Sequence, residues 1–228
     1  MAPLSAPAPL GEPAYRSCGL SNRGLSSTTP ALTYLDAFLA ALGHQWSEAD
    51  PGEDRYIVLC VAENKLSHDI VQQRLCAAGP PPGRAAGYDD MRGCERLRGA
   101  LARYCSRTLM RGPVPVEPQH VCASAGCGSV LETLMFALCD PGHAVLVPAP
   151  YYAAFDNDLR VKAAVVPVAV QEPEGGLVPT ASTLEGAYQR CEAEGVPVRA
   201  VLLTNPTNPT GLVYPRAAVE GGRVGAGR

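Results

Sequence analysis

Three short segments of this 228-residue chain carry residue types suited to holding a small ligand. The first, Asn205-Pro206-Thr207-Asn208-Pro209-Thr210-Gly211, follows the apolar run Val201-Leu202-Leu203. Each proline removes a backbone donor and pushes the residue before it into an extended conformation, so Asn205 and Asn208 are expected at a strand end with their amides projecting. The second, Ser124-Ala125-Gly126-Cys127-Gly128-Ser129, opens onto an apolar helical run from Val130 to Cys139. Glycines at such a junction let consecutive backbone N–H groups close on an anion, and the helix dipole favours negative charge there. The third is Pro148-Ala149-Pro150-Tyr151-Tyr152, which follows the apolar run Ala144 to Val147. A carboxylate, Glu63, also stands directly behind a strand-type segment, Tyr56 to Val61.

The elements that must position these residues can be read in order. Thr29-Pro30 suits a helix start, with Leu32, Leu35, Phe38, Leu39 and Leu42 on one face and Gly43 as the stop. The strand expected at Tyr56–Val61 leads to a helix capped by Ser67, with Asp69 in its first turn. A Pro/Gly break spans Gly79 to Gly83, and a helix is expected from Cys94 to about Arg107, although Gly99 weakens it. Pro113, Pro115 and Pro118 make an extended connector, and His120 to Ala123 read as a strand. Further strands are expected at Ala144–Val147, Ala164–Val170 and Val201–Leu203. A capping box at Ser182-Thr183-Leu184-Glu185 predicts a helix running to Glu194 and stopped by Gly195. Strands alternating with helices imply an α/β fold, a three-layer, doubly wound and mostly parallel sheet. Ligands bind such sheets at the carboxyl ends of the strands.

Composition narrows the classes. The net charge is −3, and of the 19 basic residues only Lys65 and Lys162 are lysines. The arginines are scattered through Ala/Gly/Pro-rich sequence, which reads as coding bias and not as a nucleic-acid surface. Nine cysteines without a Cys-x-x-Cys pair argue against a disulfide scaffold and a zinc site, and the four histidines have no metal-ligand spacing. The expectation is a reducing, cytoplasmic compartment, with no membrane span and no metal. For residues 1–29, rich in Ala, Pro and Ser, two readings stand: a disordered leader, or an organelle transit segment with Arg16 and Arg23 among serines.

The Asn-Pro-x-Asn-Pro-x-Gly segment resembles the signature of fold-type I pyridoxal phosphate (PLP) enzymes, in the aminotransferase class I and II superfamily. VAENKLSHDIVQQRL and the later YDDMRGCERLRGALARY resemble the 1-aminocyclopropane-1-carboxylate (ACC) synthase and ACC synthase-like branch. The resemblance covers roughly residues 30 to 215. It implies pyridoxal 5'-phosphate as cofactor, with Cys127, Gly128 and Ser129 contacting its phosphate, Tyr152 stacking on its ring and Asn208 bonding its 3-oxygen. It also implies that Glu63 contacts the amino acid substrate, and that the full-length form is a homodimer. The implied activity is either elimination of the side chain of S-adenosylmethionine to give ACC, or transamination. One departure from the branch is Met91: where ACC synthases carry Tyr in Asp-Tyr-x-Gly, a thioether cannot supply the hydroxyl hydrogen bond made in the neighbouring subunit's site.

The same resemblance sets the expected boundaries: part of a small domain at 30–93, part of the PLP-binding large domain at 94–215, and an unrelated Gly-rich tail at 216–228 too rich in glycine to hold a helix. PLP chemistry needs a lysine to hold the aldehyde as a Schiff base and an acid to keep the ring nitrogen protonated. In the family both lie beyond the Asn-Pro segment, and neither Lys65 nor Lys162 matches that lysine. The expectation is the N-terminal half of a longer enzyme, inactive alone. Two alternatives stay open: a non-catalytic binding or regulatory partner, and a fragment without a role.

Overall fold

A computed structural model describes residues 19–27, 34–111 and 114–225. It divides into two compact units, one formed by Tyr34–Ala125 and the other by the described residues of Met1–Thr33 and Gly126–Arg228. The helices are α1 (Asn22–Ser26), α2 (Tyr34–Ala41), α3 (His68–Ala77), α4 (Glu95–Tyr104), α5 (Gly126–Leu138), α6 (Phe155–Arg160), α7 (Ala181–Ala193) and α8 (Arg216–Gly225); the strands are β1 (Ala144–Pro148), β2 (Val166–Val170) and β3 (Val198–Val201).

The sheet of the second unit is parallel, in the order β2-β1-β3. Its register pairs Ala144 with Val166 and Leu146 with Val168 on one side, and Leu146 with Val201 on the other. Every residue of β1 is buried. Successive side chains of a strand point to opposite faces, and here each face has its own core. Val145 and Val147 pack with Leu131 and Met135 of α5 and with Phe155 and Leu159 of α6. Ala144 and Leu146 pack with Val168, Val170 and the α7 residues Ala187 and Cys191. Helices cover both faces, which is why β1 reads as an unbroken apolar run and not as an alternation. The three-layer α/β expectation holds in this unit.

Local chemistry moved several elements. The expected capping box at Ser182 lies two residues too late: Thr180 caps α7, accepting from the Thr183 N–H at 3.2 Å, while Thr183 Oγ1 accepts from the Thr180 N–H at 3.2 Å. The Glu172 carboxylate joins this cap by accepting from the Thr180 N–H at 2.7 Å. Gly195 ends the helix as expected, with φ +71°. β3 starts three residues before the expected Val201–Leu203 run and ends at its first residue, Val201. Its ladder ends with Leu202 N–H donating to Leu146 O at 2.9 Å, because β1 alone supplies partners.

In the Tyr34–Ala125 unit, two expected strands are absent among the described residues. Tyr56 makes one isolated bridge with Gln45, and Ile57 and Leu59 are 72% and 88% exposed. Strand propensity measures fit to a pleated, half-buried surface, and no such surface receives this run. Likewise Pro118–His120 forms a 3₁₀ turn with a capping box, and Ala123 N–H donates to Arg92 O at 2.8 Å, in place of a strand at His120–Ala123. Ser67 does not cap α3; its hydroxyl accepts from Asn64 Nδ2 at 3.3 Å and a 3₁₀ turn leads into the helix. α4 forms despite Gly99 and runs on as a π-helical turn, Cys105–Met110, that ends at left-handed Arg111. The Thr29-Pro30 helix start lies outside the described residues.

The glycine-rich end also departs from expectation. α8 forms over Arg216–Gly225 and packs against α7. Its first half, Arg-Ala-Ala-Val-Glu, contains good helix formers, and Arg216 Nε pairs with Glu220 Oε1 one turn on at 2.6 Å.

Candidate functional site

Parallel strands put all their carboxyl ends at one edge, and α5, which hands the chain to the amino end of β1, begins at that same edge. The sheet unit therefore collects the starting turn of α5, the segment after β1 and the segment after β3 along its carboxyl edge. Five of the six residues singled out in the sequence, Cys127, Gly128, Ser129, Tyr152 and Asn208, lie on these three segments. Glu63 belongs to the other unit.

At the start of α5, Gly126 has φ +87°, a conformation costly for a side chain, and it turns the chain into the helix. Gly128 differs: its backbone is not left-handed, and a Cβ there would stand 3.1 Å from Asp158 Oδ1, which would have to give by a few tenths of an ångström. The first-turn N–H groups of a helix have no acceptor inside it, so this turn offers donors to an anion.

The two tyrosines after β1 divide into a buried and a presented one. Half-buried Tyr151 donates its hydroxyl to Asp156 Oδ1 at 3.0 Å and stacks on Phe155 at 6.4 Å. Burial first, then the Asp156 charge, pushes its phenol up to about 12. Tyr152 is 41% exposed and meets Phe155 edge-on, centroids 5.4 Å apart at 90°, so Phe155 steadies the ring while leaving a face available.

In the Asn-Pro segment the expected symmetry of the two amides breaks down. Asn205 Oδ1 accepts from Tyr214 N–H at 2.9 Å, so this amide fastens the loop instead of projecting from it. Asn208 is exposed and makes no protein hydrogen bond among the described residues. Between them lies Thr207, only 8% exposed, an organiser not singled out in the sequence. Its N–H donates to Leu212 O at 2.8 Å, its carbonyl accepts from Gly211 N–H at 2.8 Å, and its hydroxyl accepts from Leu212 N–H at 2.8 Å and bonds Thr210 Oγ1. A threonine flanked by two Asn-Pro pairs could have been suspected, since a hydroxyl can bond nearby backbone.

In the Tyr34–Ala125 unit, exposed Glu63 pairs with Lys65 at 3.3 Å. Both border an open cavity of about 450 Å³ whose walls include Phe38, Trp46, Tyr56 and Val58. Aromatic faces beside a carboxylate suit a cation carried on an apolar body. Met91 is 83% exposed at the tip of a loop that is tightly tied. Arg98, 6% exposed, donates to Gly93 O at 2.7 Å, Pro118 O at 2.9 Å and Asp90 Oδ2 at 3.0 Å. Hydrogen bonds from the Arg92 side chain and backbone, with the charges of Arg92 and Arg98, hold the Asp90 carboxyl far below its ordinary range. Arg98 was missed in the sequence because an arginine on an Arg-rich helix looks like a solvated one.

No group of His, Cys, Asp and Glu among the described residues could hold a metal ion, and no helix there is long and apolar enough to cross a membrane.

Residues 55–221 match the family profile "Aminotransferase class I and II". 1-Aminocyclopropane-1-carboxylate synthase 3 of Oryza sativa subsp. japonica is 36% identical over 224 residues, covering 87% of this chain and 48% of that protein. "Probable aminotransferase aclI" of Aspergillus oryzae is 30% identical, covering 91% of this chain and 48% of that protein. Among solved structures, aspartate aminotransferase from Thermus thermophilus with maleate superposes with a TM-score of 0.65 at 26% identity, covering 91% of this chain and 50% of that one. The chain thus spans about half the length of these relatives.

Proposed function

Because the chain belongs to the aminotransferase class I and II family, we propose that it carries the coenzyme-holding part of a pyridoxal 5'-phosphate enzyme that acts on an amino acid. The observation that carries this is the convergence of three family-like segments on one sheet edge. The residues there fit the coenzyme. Gly126 turns the chain by its φ and Gly128 leaves the start of α5 without a side chain, so the N–H groups of Cys127 and Gly128, with Ser129 beside them, can contact the phosphate. The open face of Tyr152 would stack on the ring, and the uncommitted amide of Asn208 would donate to the 3-oxygen. When bound, the coenzyme supplies an electron sink that labilises bonds at the substrate's α-carbon. Glu63, beside the aromatic walls of its cavity, would meet the substrate, and a sulfonium amino acid suits that environment. Lyase and aminotransferase activities both have a named relative in support. In its full-length form the protein would act as a homodimer in the cytoplasm.

A second reading, a non-catalytic binding partner, is favoured by the lysines. Lys162 follows α6 and precedes β2, at the amino edge of the sheet and away from the proposed site, and Lys65 is paired with Glu63 in the other unit. Titration of the purified chain with pyridoxal 5'-phosphate and with unphosphorylated pyridoxal tests the central proposal. Binding at least about tenfold tighter for the phosphorylated form is expected from a charge-assisted cradle; equal binding would overturn it. Borohydride treatment of the native protein from its source, followed by intact mass, then separates the two readings: a chain much heavier than 23.9 kDa carrying the fixed coenzyme supports the catalytic one, and an unmodified chain of 23.9 kDa supports the partner.

A further inference from the structure

Position 128 comes close to a neighbouring side chain, which would have to give way to a Cβ there. A Cβ there would lie 3.1 Å from Oδ1 and 3.7 Å from Cγ of Asp158, while only Gly126 of the two loop glycines has a left-handed backbone. Asp158 sits half-buried on α6, which packs against α5. Burial raises its carboxyl above the ordinary range, and the charge of Glu132, one helical turn on from Gly128, raises it further. β1 and β2, the other elements against α6, contribute only Ala, Val, Leu and Pro. On α6 itself, Asp156 is engaged with Tyr151 and Arg160. Asp158 has no ion pair among the described residues, so a carboxylate without a counter-charge lies against the backbone of the anion cradle.

We propose that Asp158 is a positioning residue of the cradle: its carboxylate packs on the Gly128 backbone, sets the course of the first turn of α5, and governs through its own charge how strongly Cys127–Ser129 hold an anion. This role exists only if the loop binds phosphate as proposed above. A neutral Asp158 leaves the positive end of the α5 dipole unopposed, whereas an ionised one places negative charge beside the same N–H donors. Anion affinity therefore falls as pH rises through the elevated Asp158 value.

The test is an NMR titration of the full 228-residue chain with sulfate, which keeps its charge from pH 4 to 7, read at the amides of Cys127, Gly128 and Ser129 at constant ionic strength. The dissociation constant of the unaltered chain is expected to rise about three- to tenfold across that range. Asp158→Asn should flatten the profile at the tight-binding level, and Glu132→Gln should shift it to lower pH. Packing is tested separately: Gly128→Ala should weaken sulfate binding, and Asp158→Ala added to it should restore binding. A pH profile unchanged by Asp158→Asn, or no rescue in the double variant, overturns the role of Asp158. No response to sulfate at any of the three amides overturns the phosphate-loop reading itself.

Discussion

The two units are built from similarly apolar sequence and hold themselves together differently. In the sheet unit, β1 is buried on both faces and Leu159, Val145, Val147, Val165 and Cys191 are almost wholly inaccessible. In the Tyr34–Ala125 unit, α3 buries nothing, Leu66 is 95% exposed, and the best-buried side chains include a charged one, Arg98. Apolar residues make a core only where a second surface meets them; where none does, directional bonds to backbone carbonyls and carboxylates hold the chain.

That contrast is broken most directly by truncating one residue in each unit. Leu159→Ala should cost the sheet unit about 2–5 kcal/mol, through lost burial and a residual cavity. Leu66→Ala should change stability by less than about 0.5 kcal/mol. Urea unfolding of the two variants checks the pair, and equal losses would erase the distinction. Next in size, Arg98→Ala leaves the carbonyls of Gly93 and Pro118 without their donor and should cost about 1–3 kcal/mol. Hydrogen exchange should show that loss confined to the Asp90–Ala123 region, with the sheet amides unchanged.

The units should also fail at opposite ends of the pH scale. Asp90 has a depressed folded-state value, so its stabilising contribution is present above about pH 4, its unfolded value, and disappears as pH falls below that. Tyr151 is raised to about 12, so its contribution is complete below about pH 10 and lost as pH climbs toward 12. Asp90→Asn should remove part of the acid limb and Tyr151→Phe part of the alkaline limb, read by circular dichroism against pH. The smallest effect on stability is expected from Tyr152→Ala, under about 1 kcal/mol for a half-exposed ring, while coenzyme binding weakens clearly. A large stability loss there would make Tyr152 a packing residue.

Much of the candidate site's local geometry could be read before any fold was known, because its parts are local. Gly126 turns the chain, a helix start offers donors, and prolines punctuate the Asn-Pro loop; these effects depend on neighbours within a few residues. The alternation of strands and helices from Ala144 onward, and with it the parallel sheet and its carboxyl edge, followed from periodicity for the same reason. Tertiary structure decided what depends on distant partners. Tyr214 engages Asn205 and leaves Asn208 exposed; Gly93 and Pro118, far apart in sequence, bury Arg98; Asp158 closes the space beside Gly128. Tyr56–Val61 has every strand-forming residue type and is not a strand, because a strand is completed by the chain beside it, and no sequence window contains that neighbour.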